Sequence, residues 1–280
     1  MGKSPTFAFS GAIGPCARRE RALYTSQTNN MDYIKSAIKT IQNNMHSYLL
    51  FLLVHLFPFI VESSIQIGEK RSFLYSASWL ISNGINLFIL SGLYYHFIQK
   101  SGSGQDYLSE LYLASKKYFF RILAVTLWIC IVITVITFIT VFTLKILVGF
   151  YGEYDVSANS FSFIILQNAL IFLVSVYFVY SIPSIYSHDL SETQAINLSF
   201  KFLRSQIYKS RHIIVLLGIS ISINAILMQS INDLESKSVS YWIVILTNIV
   251  FTKTMYLIVL ISAVLILKNN LNSSGGADSI

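Results

Sequence analysis

The sequence predicts an all-α integral membrane protein of six transmembrane helices, arranged as three repeats of an amphipathic interfacial helix followed by a transmembrane hairpin. Three observations carry that expectation. Apolar runs at 48–66, 73–99, 119–150, 161–186, 212–229 and 241–267 are each near or above the roughly 20 residues that cross a hydrocarbon core of about 30 Å. The runs come in pairs, and each pair follows a short basic segment whose apolar residues have helical spacing. Of the 280 residues, 54% are hydrophobic and 12% charged, against about 25% charged in soluble domains.

Residues 1–30 differ from the rest, with Pro5, Gly11, Gly14, Pro15, Cys16 and the cluster Arg18, Arg19, Glu20, Arg21. Here the basic cluster follows a short apolar stretch, the reverse of a signal peptide, so the segment reads as a disordered arm, with Met31 as an alternative natural start. The membrane domain is expected over 31–268 and a disordered tail over 269–280. Cys16 and Cys130 fall in the arm and in the third span, too far apart in topology to pair.

In the first unit, Ile34, Ala37, Ile38, Ile41 and Met45 recur at spacings of three and four, leaving Lys35, Lys39 and Asn43 on other faces. Its hairpin follows, with Pro58 a candidate kink in the first span. The second unit sets Leu108, Leu111, Tyr112, Ser115 and Tyr118 against Glu110, Lys116 and Lys117, and its second span carries Pro183 near the end. The third sets Ile196, Phe200, Leu203 and Ile207 against Lys201, Arg204 and Gln206, with Ser191 as an N-cap. Three hairpins entering from one side imply parallel repeats about an axis along the membrane normal, and suggest pseudo-threefold packing. The alternative is three ordinary juxtamembrane helices held in the interface by anionic lipid.

The basic residues set the orientation. With a cytoplasmic N-terminus, the inner side carries Lys3, Arg18, Arg19, Arg21, Lys35, Lys39, Lys100, Lys116, Lys117, Arg121, Lys201, Arg204, Lys209, Arg211 and Lys268. The outer side carries Lys70, Arg71, Lys145 and Lys237. That bias puts both termini in the cytoplasm. The net charge of +7 follows from topology, so no nucleic-acid partner is expected. Tyr94, Tyr95, Tyr118, Phe119, Tyr186 and Tyr208 read as anchors at the inner interface, and Phe73, Tyr151, Tyr154, Tyr241 and Trp242 at the outer one.

Polar residues inside the spans are the candidate functional or structural groups. Lys253 lies twelve residues past Tyr241, about 18 Å along a helix and near mid-core, where an ionised lysine costs roughly 2.5 to 3.5 kcal/mol. Its candidate partners are Glu62, the acid within a span, and the amides Asn224 and Asn248. Asn83, Asn86, Gln167, Asn168, Asn224 and Asn248 either line a polar cavity or tie helices together. His55 and His96 match no metal spacing and read as isolated core or interfacial histidines. No HExxH, GxSxG, paired-carboxylate or phosphate-loop motif occurs, so neither a catalytic residue, a metal nor a cofactor is expected.

Across residues 32–268 this order of segments, with short outer connections and both termini inside, resembles six-helix prokaryotic membrane families. These are related to the membrane domain fused to some glycerophosphoryl diester phosphodiesterases. The resemblance implies an accessory membrane module in a cell membrane of prokaryotic type. The phosphodiesterase site belongs to a soluble barrel of roughly 250 residues, for which this chain has no room, so no catalytic residue carries over. The expectation is therefore a non-enzymatic module that binds or helps assemble membrane proteins or lipids, with the bilayer as first partner. The alternative is a small transporter or permease whose path runs past Lys253, Glu62 and the asparagines.

Overall fold

The computed structural model describes residues 30–65, 73–99, 107–151, 161–232 and 238–273, and the elements among them are all helical. In chain order they are α1 (Asn30–Asn43), α2 (Met45–Ile65), α3 (Phe73–Gln99), α4 (Tyr107–Tyr151), α5 (Phe161–Phe178), α6 (Ser181–His188), α7 (Glu192–Asn232), α8 (Val239–Asn248) and α9 (Thr254–Ser273). A π-helical turn, Ile249–Lys253, joins α8 to α9. The arm before Asn30, the end of the tail and the connections expected on the outer side, with Glu69, Glu153, Asp155, Asp233 and Glu235, lie outside the described residues.

Four stretches among the described residues are long and apolar enough to cross a membrane: Tyr107–Thr143, Ile165–His188, Glu192–Leu227 and Val239–Asn270. A fifth is the pair α1 and α2, bent by 90°. At 27 residues, about 40 Å, α3 has the length, but Asn83, Asn86 and its serines dilute its apolar character.

The three basic segments enter their spans differently. At the first, Asn44 makes the corner: its N–H donates to the Ile41 carbonyl at 3.1 Å and its side-chain amide to the Thr40 carbonyl at 2.8 Å. The second runs without interruption into the 45-residue α4. The third is broken at Gln206, whose φ of −127° and ψ of 31° are non-helical. Before it, Ser191 forms a reciprocal cap: Gln194 Oε1 accepts from the Ser191 N–H at 3.2 Å, and the Gln194 N–H points back to Ser191 Oγ at 3.5 Å.

Packing follows chain order around a ring. α3 lies on α2 and α4, α4 on α5, α5 and α6 on α7, and α7 on α8 and α9; α9 and the π turn then return onto α1 and α2. Inside the ring, α3, α6 and α9 touch one another, burying Leu93, Tyr94, Ile185, Tyr186, Leu257 and Ile261. Tyr94 and Tyr186 are thus core residues, where interface anchors were expected; Tyr208, 84% exposed, is left on the surface.

The buried faces of the basic segments overlap the expected stripes in part. Ala37, Ile41, Ser115, Tyr118 and Leu203 are buried as expected, and Ala114, Ala195 and Ser199 are buried beside them, while Ile38, Leu108, Tyr112, Phe200 and Ile207 are exposed. Helices in lipid gain little by hiding leucine from hydrocarbon, so seams form where small side chains allow close approach. Gly92 is the tightest such point, since a Cβ there would stand 2.5 Å from the Leu111 carbonyl oxygen.

Of the two prolines read as kinks, Pro58 sits within an unbroken α2. Pro183 lacks an N–H and its ring crowds the carbonyl four residues back, at Val179, where α5 gives way to α6. Ser199 of α7 bridges the opening: its Oγ accepts from the Tyr180 N–H at 3.2 Å and donates to the Tyr177 carbonyl at 2.6 Å.

Candidate functional site

The sharpest feature of the last span is the π turn that ends at Lys253. Its threonines open the helix: Thr252 Oγ1 donates to the Asn248 carbonyl at 2.6 Å, and Thr254 Oγ1 to the Val250 carbonyl. From α7, Ser220 Oγ donates to the Thr252 carbonyl at 3.2 Å. With its proton committed to Val250, Thr254 Oγ1 accepts from Tyr48 O–H at 2.7 Å, which pins the turn to α2.

Tyr48 lies in the first turn of α2, so Lys253 stands nearer the N-terminal end of that helix than the mid-core depth read from its own span. It is half-buried, and among the described residues no acid pairs with it. Asn248, one expected partner, is instead bonded to Thr252, whose Oγ1 lies 3.0 Å from Asn248 Oδ1. The side chain of Glu62, the other, lies outside the described residues. His55 stands on α2, the helix that packs against the π turn. His55 Nδ1 lies 2.9 Å from the Phe51 carbonyl, which can only accept, so Nδ1 carries the hydrogen and Nε2 the lone pair. His55, read as an isolated core or interfacial histidine, is buried on α2 with its ring 4.4 Å from that of Phe51.

The remaining asparagines do not converge here. Asn83 Nδ2 donates back to the Trp79 carbonyl at 2.8 Å, Asn86 Oδ1 is buried without a partner among the described residues, and Asn224 is half-buried on α7. Asn168 faces an open groove between α5 and α7 of about 480 Å³, lined also by Phe172, Gly218, Ser222, Ala225 and Gln229. The absent side chain of Gly218 makes room for the Phe172 ring, 3.3 Å from where a Cβ would stand. A smaller cavity of about 160 Å³ lies between the two helix interruptions, bounded by Val179, Ser175, Ser220 and Tyr256.

At the end of α6, Asp189 closes the helix in the left-handed region, φ 54°. Its carboxylate takes Lys117 at 3.0 Å and Arg121 at 2.7 Å, and Arg121 also donates to the Asp189 carbonyl at 3.0 Å. The Lys117 hydrogen bond, with Arg121 beside it, holds the Asp189 carboxyl below its usual range. Its contribution is therefore present at pH above about 4 and lost as pH falls through the folded value. Thermal unfolding of Asp189→Asn should follow the parent's pH dependence between about pH 5 and 8 and lose part of the parent's decline below about pH 4. The pair is half exposed, so the overall effect is small, on the order of 0.2–1 kcal/mol.

Sequence reasoning missed the aromatic centre. Tyr94 of α3, Tyr186 of α6 and Tyr256 of α9 lie close together with Tyr118: Tyr94 and Tyr256 have ring centroids 6.5 Å apart, Tyr118 and Tyr186 4.9 Å. Tyr186 O–H donates to the Ser91 carbonyl at 2.6 Å. A signal was present, since Leu93-Tyr94-Tyr95-His96 and Ile185-Tyr186-Ser187-His188 share an apolar–Tyr–x–His order, and Met255-Tyr256 repeats its start. Set against known protein families, characterised proteins and solved structures, the chain matches none of them.

Proposed function

We propose that this chain is a non-enzymatic, six-span protein of a cell membrane, with both termini cytoplasmic, that acts as an accessory or assembly module by holding membrane lipid and, with it, other membrane proteins. In this reading α2 and α3 are the first two spans and the three hairpins are parallel repeats. The ring order of packing and the meeting of α3, α6 and α9 support the repeat. The accessory role is the one implied by the resemblance to phosphodiesterase membrane domains.

The observation that carries the reading is the open groove between α5 and α7, about 480 Å³. Its size falls in the range of ligand sites, its wall is mainly apolar, and Asn168, Ser222 and Gln229 offer polar contacts to an ester or headgroup. Its occupant is the acyl chain of a bilayer phospholipid. Ala225→Trp, which fills the groove from α7, should lower by one the phospholipids retained per chain in native mass spectrometry. An unchanged lipid count would defeat the assignment.

A second reading, a small transporter, is favoured by two helix interruptions that flank one cavity and by a lysine without a carboxylate partner among the described residues. Its mark is Lys253→Met at least as stable as the parent, because a buried charge is then kept against stability.

A further inference from the structure

The N-terminal turns of α4 and the end of α3 enclose an open pocket of about 230 Å³. Tyr95 walls it from α3, and Glu110, Leu113, Ala114, Lys117 and Tyr118 wall it from α4. Glu110 and Lys117 stand seven residues apart on one helix, a step of about 10.5 Å along the axis with a drift of about 20°. The pocket therefore has an acid at one end and a base at the other. The basic end is the one beside the apolar run, which opens at Phe119. There Lys116, Lys117 and Arg121 outnumber Asp189, which takes Lys117 at 3.0 Å and Arg121 at 2.7 Å, so positive charge is left over. The Lys117 ammonium has three donors, and Asp189 accepts from one. Its Nζ lies 4.9 Å from the Tyr118 ring centroid, and Tyr118 stacks on Tyr95 with centroids 5.5 Å apart and planes at 26°.

We propose that this pocket binds the phosphoethanolamine headgroup of a bilayer phospholipid, with the phosphate on Lys117 and the ammonium on Glu110 beside Tyr95. The order of charges fits a lipid, because the phosphate stands nearer the acyl chains than the ammonium does, as Lys117 stands nearer the apolar run than Glu110. The spacing fits as well. Taking about 3 Å of hydrogen bond from each end of the step of about 10.5 Å leaves about 4–5 Å between phosphorus and nitrogen, a gap that one oxygen and two carbons bridge. An anionic headgroup with no ammonium would set Glu110 against a group without compensating charge. A choline headgroup carries no N–H to donate to the Glu110 carboxylate, whereas an ethanolamine ammonium donates there and meets the aromatic wall of Tyr95. Leu113, 60% exposed, gives the glycerol and first methylenes an apolar rim that a soluble phosphoethanolamine does not need.

The inference rests on the reading of a lipid-holding module, and the experiment separates the two. The full chain carrying Ala225→Trp, which fills the groove between α5 and α7, is stripped of lipid in detergent. It is then offered equal amounts of phosphatidylethanolamine, phosphatidylglycerol and phosphatidylcholine with the same acyl chains. Native mass spectrometry should show phosphatidylethanolamine retained at least fivefold over each of the others. Asp32→Asn, changed at an exposed acid of α1 away from the pocket, should keep that preference. Glu110→Gln should reduce it below twofold, and Glu110→Lys should turn it toward phosphatidylglycerol, a gain that misfolding does not produce. No preference for phosphatidylethanolamine, or one untouched by Glu110→Gln, overturns the assignment. Glycerophosphoethanolamine that displaces the lipid at equal concentration assigns the pocket to a soluble ligand and overturns the lipid. A lipid count lowered by Ala225→Trp without any headgroup preference keeps the groove and defeats the headgroup site. An unchanged count with a preference that follows Glu110 does the reverse.

Discussion

Gly92→Ala is expected to destabilise the bundle by about 1–3 kcal/mol, and Gly92→Leu to prevent folding. A methyl at this position meets Ser115 Oγ and, at 2.5 Å, the Leu111 carbonyl oxygen. The second contact decides the outcome. A hydroxyl can rotate away, but a backbone oxygen yields only if α4 moves, and α4 is also tied through Asp189 to the end of α6. Next to the contact, Ser91 offers its carbonyl to Tyr186, so displacing α4 disturbs the junction of α3, α4 and α6 at once. Ser115→Ala should therefore fail to rescue Gly92→Ala. The control is on the same helix: Gly84 has nothing within 4 Å of its would-be Cβ. Gly84→Ala should be neutral or stabilising by about 0.5–1 kcal/mol through helix propensity. Thermal unfolding in detergent compares the two, and equal effects at both glycines would refute the close crossing.

Ser199→Ala is expected to be the most costly hydroxyl deletion in the protein. Ser199 is wholly buried and serves both sides of the gap that Pro183 opens, accepting from the Tyr180 N–H and donating to the Tyr177 carbonyl. Its loss strands a backbone donor and acceptor away from water, at about 1–3 kcal/mol each. The replacement leaves Tyr180 pinned by its O–H to Ser210 at 2.6 Å and by its ring against Phe202 at 4.7 Å, so the gap cannot close by moving the residue. Pro183→Ala restores the missing N–H opposite the Val179 carbonyl. In that background Ser199→Ala should cost less, with a coupling of about 0.5–3 kcal/mol in a double-mutant cycle. Additive effects would mean that Ser199 does not serve the proline gap.

Both sites show how far the chain is legible one residue at a time. Pro58 and Pro183 each announce a lost hydrogen bond, because the missing N–H is a property of proline itself, though only at Pro183 does the helix break, and Ser191 announces a cap by its residue type. Ser199, which makes the break tolerable, carries no such mark, because its partners are about twenty residues away. Gly92 reads like Gly84 until α4 is laid across it. Likewise the three-and-four spacing of Leu108, Tyr112, Phe200 and Ile207 signals helices correctly but not the faces that pack, since lipid accepts those side chains as readily as protein does.

What the sequence determined by itself is the class of the molecule. Its long apolar runs, scarcity of charge and the basic segments before them state what a bilayer requires of each segment separately, and helix is the open-ended way to satisfy a backbone there. Tertiary structure alone decided the partnerships. It took the closing of the last helices onto α2 and α3 to join Tyr48 with Thr254 across 206 residues and to turn Tyr94 and Tyr186 from surface anchors into the core. When every face of a helix is apolar, hydrophobicity no longer distinguishes inside from outside, and close contacts between small side chains, together with hydrogen bonds between distant segments, make the choice.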